Sequence, residues 1–147
     1  MRRWFLICLT LFALGCGKKN AEPWEEEPAP DAGPLAISVV DPSDGAAGVS
    51  RNTHVLLLFN QPIETTSVQN GTNLRLARVL TEEPLSEEPL STELTLHRVE
   101  GGHSALLVPF SPLEPESLYS ISLDTTILSA GGNALEAPFR SSFTTGF

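Results

Sequence analysis

After Pro34 the chain is a succession of short apolar runs, separated by clusters of Gly, Pro, Ser, Asn and Asp. Several runs alternate apolar with polar residues, which is the period-2 pattern of strands that are buried on one face. No stretch of this region has a helical hydrophobic period of useful length, so the pattern predicts an all-β domain. The predicted strands are LAISVV (35–40), THVLLLF (53–59), NLRLARVL (73–80), ELTLHRV (93–99), SALLVPF (104–110), YSISL (119–123) and FRSSFTT (139–145).

The predicted strands differ in the number of faces that are apolar. The run 53–59 is apolar on both faces, which predicts a central strand. Residues 41–50 are predicted to be a turn, and residues 81–90 an elongated, proline-stiffened loop between two strands. The residues predicted to face the core in the alternating runs are Ile37, Val39, Leu74, Leu76, Leu94, Leu96, Tyr119, Ile121, Leu123, Phe139 and Phe143.

About seven strands in residues 35–147 fit one immunoglobulin-like β-sandwich, and the whole chain of 147 residues is too short for two comfortable cores. A corner ahead of one strand supports this fold, because Leu113 and Pro115 precede Tyr119. In such folds a tyrosine at this place pins the corner through its hydroxyl. Tyr119 is therefore predicted to be structural, with an ordinary core tyrosine as the alternative.

The two ends of this region resemble the bacterial Ig-like domain named after the S-layer protein SbsA. VVDPSDGAAGVSRNTHVLLLFNQPI (39–63) is similar to the start of that family, and LEPESLYSISLDTTILSAGGNALEAPFRSSFTTG (113–146) is similar to its close. The resemblance assigns a turn role to Gly132 and Asn133, ahead of the last strand. Family members often carry an acid four residues before this asparagine, where this chain has Ser129. Such domains occur as modules of surface and adhesive proteins, so the resemblance implies binding or spacing.

The first residues have the layout of an export signal. Arg2 and Arg3 form a short positive segment, and the twelve residues from Trp4 to Gly15 are almost wholly apolar. As a helix this stretch rises about 18 Å, well short of a hydrocarbon core of about 30 Å, so it is too short for a stable span. The pattern therefore predicts a signal peptide over residues 1–15.

The end of this segment, Ala13-Leu14-Gly15-Cys16, resembles the lipobox of bacterial lipoproteins. The resemblance implies cleavage before Cys16, a diacylglycerol on its thiol, and acylation of the new amino group with a chain such as palmitate. In enteric lipoproteins an Asp after the cysteine favours the inner membrane, so Gly17 implies anchoring in the outer membrane. An incidental cysteine in an ordinary signal peptide is the alternative.

Residues 16–34 are predicted to be a disordered tether between the lipid and the domain. The stretch GKKNAEPWEEEPAPDAGP (17–34) is rich in proline and acidic residues and poor in apolar ones, a composition that cannot bury enough surface to fold. Trp24 is predicted to be a lone aromatic of this spacer. Docking of Trp24 on the domain or on a partner is the alternative.

Charge and cysteine content narrow the possible functions. The formal net charge of -9 and the pI of about 4.7 argue against nucleic acid as a partner, since binding phosphates needs clustered Lys and Arg. The two cysteines, Cys8 and Cys16, both lie in the N-terminal segment, so no disulfide framework is expected in the domain.

Signatures of common catalytic chemistry are absent from the sequence, which has no phosphate-binding loop, no His-Glu-x-x-His and no Gly-x-Ser-x-Gly. The chain has three histidines, His54, His97 and His103, of which the last two flank the predicted hairpin RVEGGHS (98–104). Because no third ligand is evident, we expect solvated strand residues rather than a metal site. The protein is therefore expected to be non-enzymatic and without a cofactor, a small hydrolase being the least favoured alternative.

A dense acidic cluster, Glu82, Glu83, Glu87 and Glu88, lies in the near-duplication TEEPLSEEPL (81–90). Its oxygens could bind calcium weakly or meet a basic partner. The ordered spacing of a calcium loop is missing, so we favour a solvated loop that keeps the sheet edge from pairing with other chains.

Together these features predict a non-enzymatic, lipid-anchored protein of the bacterial cell envelope that displays one Ig-like binding or structural module. The expected partners are the membrane, through the lipid, and a protein or glycan of the envelope. An accessory or assembly factor that docks a larger envelope enzyme or an S-layer component is the alternative.

Overall fold

The computed structural model describes residues 33–83 and 85–147, which form nine strands and one short 3-10 helix, Thr65–Ser67. The strands form two sheets, of order β1-β3-β7-β6 and β2-β9-β8-β4-β5. The predicted all-β, Ig-like sandwich is confirmed. The strands are β1 Ile37–Asp41, β2 Ala46–Val49, β3 Val55–Phe59, β4 Leu74–Thr81, β5 Ser86–Pro89, β6 Thr92–Val99, β7 Gly102–Pro109, β8 Leu118–Leu123 and β9 Phe139–Thr145.

The hydrophobic core lies between the two sheets and takes alternate residues from most of the longer strands. At its centre the rings of Tyr119 on β8 and Phe143 on β9 stack, with their centroids 5.6 Å apart. The strand predicted to be central, β3, lies between β1 and β7, and both of its faces are at least half-buried. The fully buried aliphatic side chains are Leu35, Val55, Leu57, Leu74, Leu76, Leu107, Leu113, Ile121 and Ile127.

Two short strands occupy parts of the stretches that were predicted to be a turn and a loop, so both predictions were wrong over the residues of β2 and β5. β2 pairs in parallel with the last strand, and its irregular register includes Gly48, whose φ of +68° suits glycine. β5 pairs antiparallel with β4, so residues 81–90 form a hairpin rather than an elongated loop. Residues that are uncommon in strands, such as Ala, Gly, Glu and Pro, dominate both strands, and hydrogen bonds to a longer neighbouring strand override that local preference.

The first strand also differs from the prediction in the side that it buries. Ile37 and Val39 were expected on one face, but the register shifts between them. Val40 instead packs against the core, and Val39 is 45% exposed. An irregularity of this kind inserts an extra residue and so reverses the alternation of the strand beyond it, which period-2 reasoning cannot anticipate.

The N-terminal segment joins the sandwich at the end of the sheet where β3 finishes. Ile37 pairs with Phe59, whereas the start of β3, Val55, pairs with Leu107 near the end of β7. The side-chain amide of Gln61 donates to the carbonyls of the joining residues 33 and 34, at 2.9 and 2.8 Å. We call this the proximal end, and the end at which β7 finishes the distal end.

Candidate functional site

The acidic cluster does not converge on one point. Glu82 and Glu83 are exposed in the β4–β5 turn, whereas Glu87 and Glu88 lie on β5 opposite Val79 and Arg78. Successive residues of a strand point to opposite faces, so Glu87 and Glu88 diverge. The arrangement does not gather four carboxylates around a common centre.

Glu87 belongs to a polar network on the outer face of the five-stranded sheet. Its Oε1 accepts hydrogen bonds from the Ser120 hydroxyl at 2.6 Å and from the Arg140 guanidinium at 2.9 Å. Its side chain is 23% exposed, and Ser120 beneath it is 2% exposed. The carboxylate thereby joins β5 to β8 and β9 across the small residue Ala77, and its oxygens are used within the fold.

Glu88 belongs to a different surface at the distal end. Its carboxylate pairs with Arg78 at 2.6 Å, and both side chains are substantially exposed. The pair borders a cleft of about 340 Å³ between the edges of the two sheets. Leu90 and Tyr119 form part of its wall, so apolar and charged groups meet there.

Phe110 is the most conspicuous apolar residue at this cleft. It is 69% exposed and lies in the segment Pro109-Phe110-Ser111-Pro112, which begins with the last residue of β7. Its backbone N–H donates to the Ser91 carbonyl at 3.3 Å. The same segment borders a second hollow of about 160 Å³, so the phenyl ring lies on a ridge between two concavities. From the sequence, Phe110 was predicted only as the end of a strand, although its position between two prolines was the available signal.

Tyr119 holds the corner that leads into β8. Its hydroxyl accepts a hydrogen bond from the backbone N–H of Glu114 at 2.8 Å, and the residue is 1% exposed. The corner is tied to the start of β3 as well, because the N–H of Leu113 donates to the carbonyl of Arg51. These bonds fix the base on which the Phe110 segment rests.

Gly132 and Asn133 lie in a tight turn that is closed by Ser129. Gly132 has a φ of +82°, and its N–H donates to the Ser129 carbonyl at 2.8 Å. The Asn133 N–H donates to the Ser129 hydroxyl at 3.0 Å. Ser129 is 2% exposed, so a buried neutral hydroxyl serves the turn.

The two histidines of the β6–β7 hairpin do not come together. His97 pairs with Ser104 and His103 pairs with Arg98, so the imidazoles lie on opposite faces of the sheet. The Nδ1 atom of His103 accepts the backbone N–H of Ile63 at 2.9 Å. Burial, followed by the nearby Arg98 cation, lowers the pKa of His103 below its usual value. Among the described residues, no group of three or more His, Cys, Asp and Glu side chains could hold a metal ion.

The predicted lipidation site, Cys16, lies outside the described residues, as do the predicted signal peptide and almost all of the predicted tether. Within the part of the chain that the structure covers, no helix has the length and apolar character needed to cross a bilayer.

Three solved structures illustrate which proteins share this fold. PcoC, a methionine-rich copper resistance protein from Escherichia coli, is 14% identical with a TM-score of 0.58, over 77% of this chain and 99% of that one. CopC from Methylosinus trichosporium OB3b is 12% identical with a TM-score of 0.54, over 76% of this chain and 93% of that one. Domains 1–6 of the surface layer protein SbsC are 16% identical with a TM-score of 0.52, over 78% of this chain and 14% of that one.

At these identities the similarity shows the fold alone, and this chain corresponds to a small part of the SbsC structure. The comparison with curated protein sequences found no match. The sequence profile of the bacterial Ig-like domain, in contrast, matches residues 31–145. This match covers most of the chain and confirms the expected family. The chain is therefore a member of the bacterial Ig-like domain family.

Proposed function

We propose that this chain is a non-enzymatic protein of the bacterial cell envelope, anchored through a lipid on Cys16, that presents one Ig-like module to a protein partner. The lipid anchor is supported by the apolar segment that ends in Ala13-Leu14-Gly15-Cys16, ahead of the sandwich. The binding role is supported by the exposure of Phe110, which is the observation that carries it.

Phe110 has the properties of an anchor residue for a protein interface. Aromatic and Arg side chains are enriched at such interfaces, where they fill pockets and account for much of the binding energy. Phe110 projects beside the Arg78–Glu88 pair, on a segment that two prolines stiffen, so little conformational entropy is lost when it is buried. It also lies at the distal end, away from the joining residues 33 and 34.

The lipid anchor is tested by metabolic labelling of the full chain with an alkyne analogue of palmitate in a bacterial host. We expect label on the parent chain and none on Cys16→Ser. The matched control is Cys8→Ser, which removes the other cysteine and should keep the label. An unlabelled parent chain, or a labelled Cys16→Ser variant, would contradict the anchor.

The binding surface is tested with the tagged full chain, by chemical cross-linking in cells and mass spectrometry of the recovered envelope proteins. Phe110→Ala should lower the yield of the cross-linked partner by about tenfold or more, as expected for an interface anchor. Val99→Ala removes another exposed apolar side chain, at the proximal end, and should leave the yield unchanged. Equal recovery of the cross-linked partner with Phe110→Ala and with the parent chain would refute the site. If Phe110→Ala instead abolished binding to an envelope glycan, the partner would be a glycan rather than a protein.

The alternatives give different outcomes in the same experiments. Recovery of a larger envelope enzyme or of an array protein would indicate an accessory or assembly role. Hydrolysis of esters or glycans by the purified chain would overturn the non-enzymatic view. Copper handling, as named for PcoC, is not part of the proposal, because soft thioether ligands suit Cu(I) and the only methionine of this chain is Met1.

A further inference from the structure

The sandwich has four edge strands, and three of them are poorly suited to pair with another strand. β1 has five residues and an irregular register, β2 has four residues and includes Gly48, and β5 has four residues and ends in Pro89. Short length, bulges and proline are the devices that protect sheet edges. β6 is different, because its eight residues pair with β7 without a register shift and include no proline.

The direction of the backbone groups of β6 follows from its pairing with β7. The N–H of Phe110 donates to the carbonyl of Ser91, which makes this the first hydrogen-bonded pair of the ladder. In an antiparallel ladder such pairs alternate with pairs whose N–H and C=O groups point away from the partner strand. Thr92, Leu94 and Leu96 therefore direct their backbone groups away from β7. The Thr92 carbonyl accepts a hydrogen bond from the Asn70 side chain at 2.6 Å, so the open part of this edge begins at Leu94. Among the described residues, no hydrogen bond from another strand satisfies the backbone of these two leucines.

The sequence of β6 is complementary to itself in one antiparallel register. If Thr95 of one copy faces Thr95 of another, Leu94 faces Leu96 and Glu93 faces His97. Both leucines have outward-pointing backbone groups, so they occupy the hydrogen-bonded positions of the new ladder, as the geometry requires. On the outer face this register places the Glu93 carboxylate of each copy opposite the His97 imidazole of the other copy. The two-fold axis therefore generates two such pairs. Cross-strand pairs of this kind stabilise antiparallel sheets.

We infer that β6 pairs with β6 of a second copy of this chain about a two-fold axis at Thr95, which joins the two four-stranded sheets into one continuous sheet. Isologous contacts of this kind are the commonest route to protein dimers. In this pairing β6 does not cover the Phe110 segment. The dimer is therefore independent of the partner surface proposed above.

Two copies paired in this way could still be anchored in one membrane. Antiparallel pairing places their proximal ends at opposite ends of the shared strands, on the order of 26 Å apart for eight residues. Residues 17–34 can span at most about 60 Å, at about 3.4 Å per residue. The chain between the lipid and the sandwich is therefore long enough for both copies.

The inference is tested by disulfide trapping of the full chain in the membranes of a bacterial host. In Thr95→Cys the two thiols meet across the axis at a Cα separation within the range of disulfides, so mild oxidation should give a dimer on a non-reducing gel. The register makes a further prediction. Glu93→Cys and His97→Cys should each cross-link poorly alone and efficiently when the two variants are co-expressed.

The parent chain measures the background from Cys8 and Cys16, and Asn52→Cys, at an exposed site away from β6, measures random collisions. A Thr95→Cys dimer yield no higher than that of Asn52→Cys would refute the pairing. A Thr95→Cys product of another mass would show that a different protein's strand occupies this edge. Self-cross-linking of Glu93→Cys alone would refute the register.

A charge exchange is a second test of the same register, in which the dimer yield of the Thr95→Cys chain is compared between charge variants. In the Thr95→Cys chain, His97→Glu places two glutamates opposite each other and should lower the dimer yield about threefold or more. Adding Glu93→Lys restores opposite charges across the axis and should restore the yield. Failure of the second substitution to restore it would overturn the facing of residues 93 and 97.

Discussion

The outer faces of the two sheets are built from different kinds of residue. On the four-stranded sheet, the central strands turn Leu56, Leu58 and Leu106 outward, and all three are half-buried without contacting the core. On the five-stranded sheet, the outward residues include Ser120 and Arg140, which Glu87 ties together. One outer face is therefore aliphatic, and the other is covered by a polar network.

This difference explains the hydrophobic patterns of the sequence. The run 53–59 is apolar at every position from Val55 to Phe59, which predicted a central strand, and β3 is central. In a two-layer sandwich, however, a central strand has solvent on one side, so its second apolar face remains at the surface. Ser120 in the run 119–123 shows the opposite solution, because this small polar residue lies under the Glu87 carboxylate from the edge strand.

The largest expected effect is the difference in stability loss between substitutions on the inner and on the outer face of β3. Leu57→Ala removes a fully buried side chain and should lower the free energy of unfolding by about 2–5 kcal/mol, through lost burial and the cavity that remains. Leu58→Ala, on the next residue, should cost about 1 kcal/mol or less, because water replaces the lost side chain. Urea unfolding of the purified chain, followed by circular dichroism, gives both values. Equal losses would show that the outer aliphatic face is covered in solution.

A second, smaller effect concerns the polar network of the five-stranded sheet. Glu87→Ala leaves the buried Ser120 hydroxyl without its acceptor and breaks the ion pair with Arg140, which should cost about 1–2 kcal/mol. Glu88→Ala breaks a more exposed pair and should cost about 0.5 kcal/mol or less. If the Glu88 variant lost more stability than the Glu87 variant in the same urea experiment, the network would not be what holds β5 to the sheet.

The strands of this fold were easier to predict from the sequence than its surfaces were. Most of the longer strands were predictable because they bury apolar residues at period 2, as Tyr119, Ile121 and Leu123 do, whereas β1 was predicted as a strand but with the wrong face buried. β5 was not, because its sequence SEEP has no apolar residue, and its stability depends on hydrogen bonds to β4 and on contacts of Glu87 with distant strands. The cleft beside Phe110 was hidden for the same reason, since its walls come from segments far apart in the chain.

A third prediction contrasts two serines of the five-stranded sheet. The Ser120 hydroxyl has a carboxylate partner, whereas the buried Ser141 hydroxyl, on the inner face of β9, has no hydrogen-bond partner among the described residues. Ser141→Ala should raise the free energy of unfolding by about 1 kcal/mol, because it removes an unsatisfied polar group from the core. Ser120→Ala should lower it. A loss of stability in Ser141→Ala, measured by thermal unfolding, would mean that this hydroxyl has a partner in solution.

The smallest expected effect depends on pH and concerns the proximal end of the four-stranded sheet. There Nδ1 of His103 accepts the Ile63 N–H, which requires the neutral imidazole. Because burial and Arg98 lower the pKa of His103 in the folded state, the unfolded chain binds this proton more readily. The contribution of His103 is thus fully present above its usual pKa of about 6.5 and is lost as the pH falls below that value.

The stability advantage of the parent chain over His103→Gln should therefore shrink between pH 8 and pH 5. Urea unfolding of both chains across this range measures the difference, so the titration of the carboxylates cancels. Arg98→Gln removes the neighbouring cation that helps to lower the pKa, so this variant should show a smaller loss between the same pH values. A difference that stays constant or grows as the pH falls would show that His103 is not held neutral by the fold. In that case the hydrogen bond to Ile63 would not help to join the four-stranded sheet to the segment after β3.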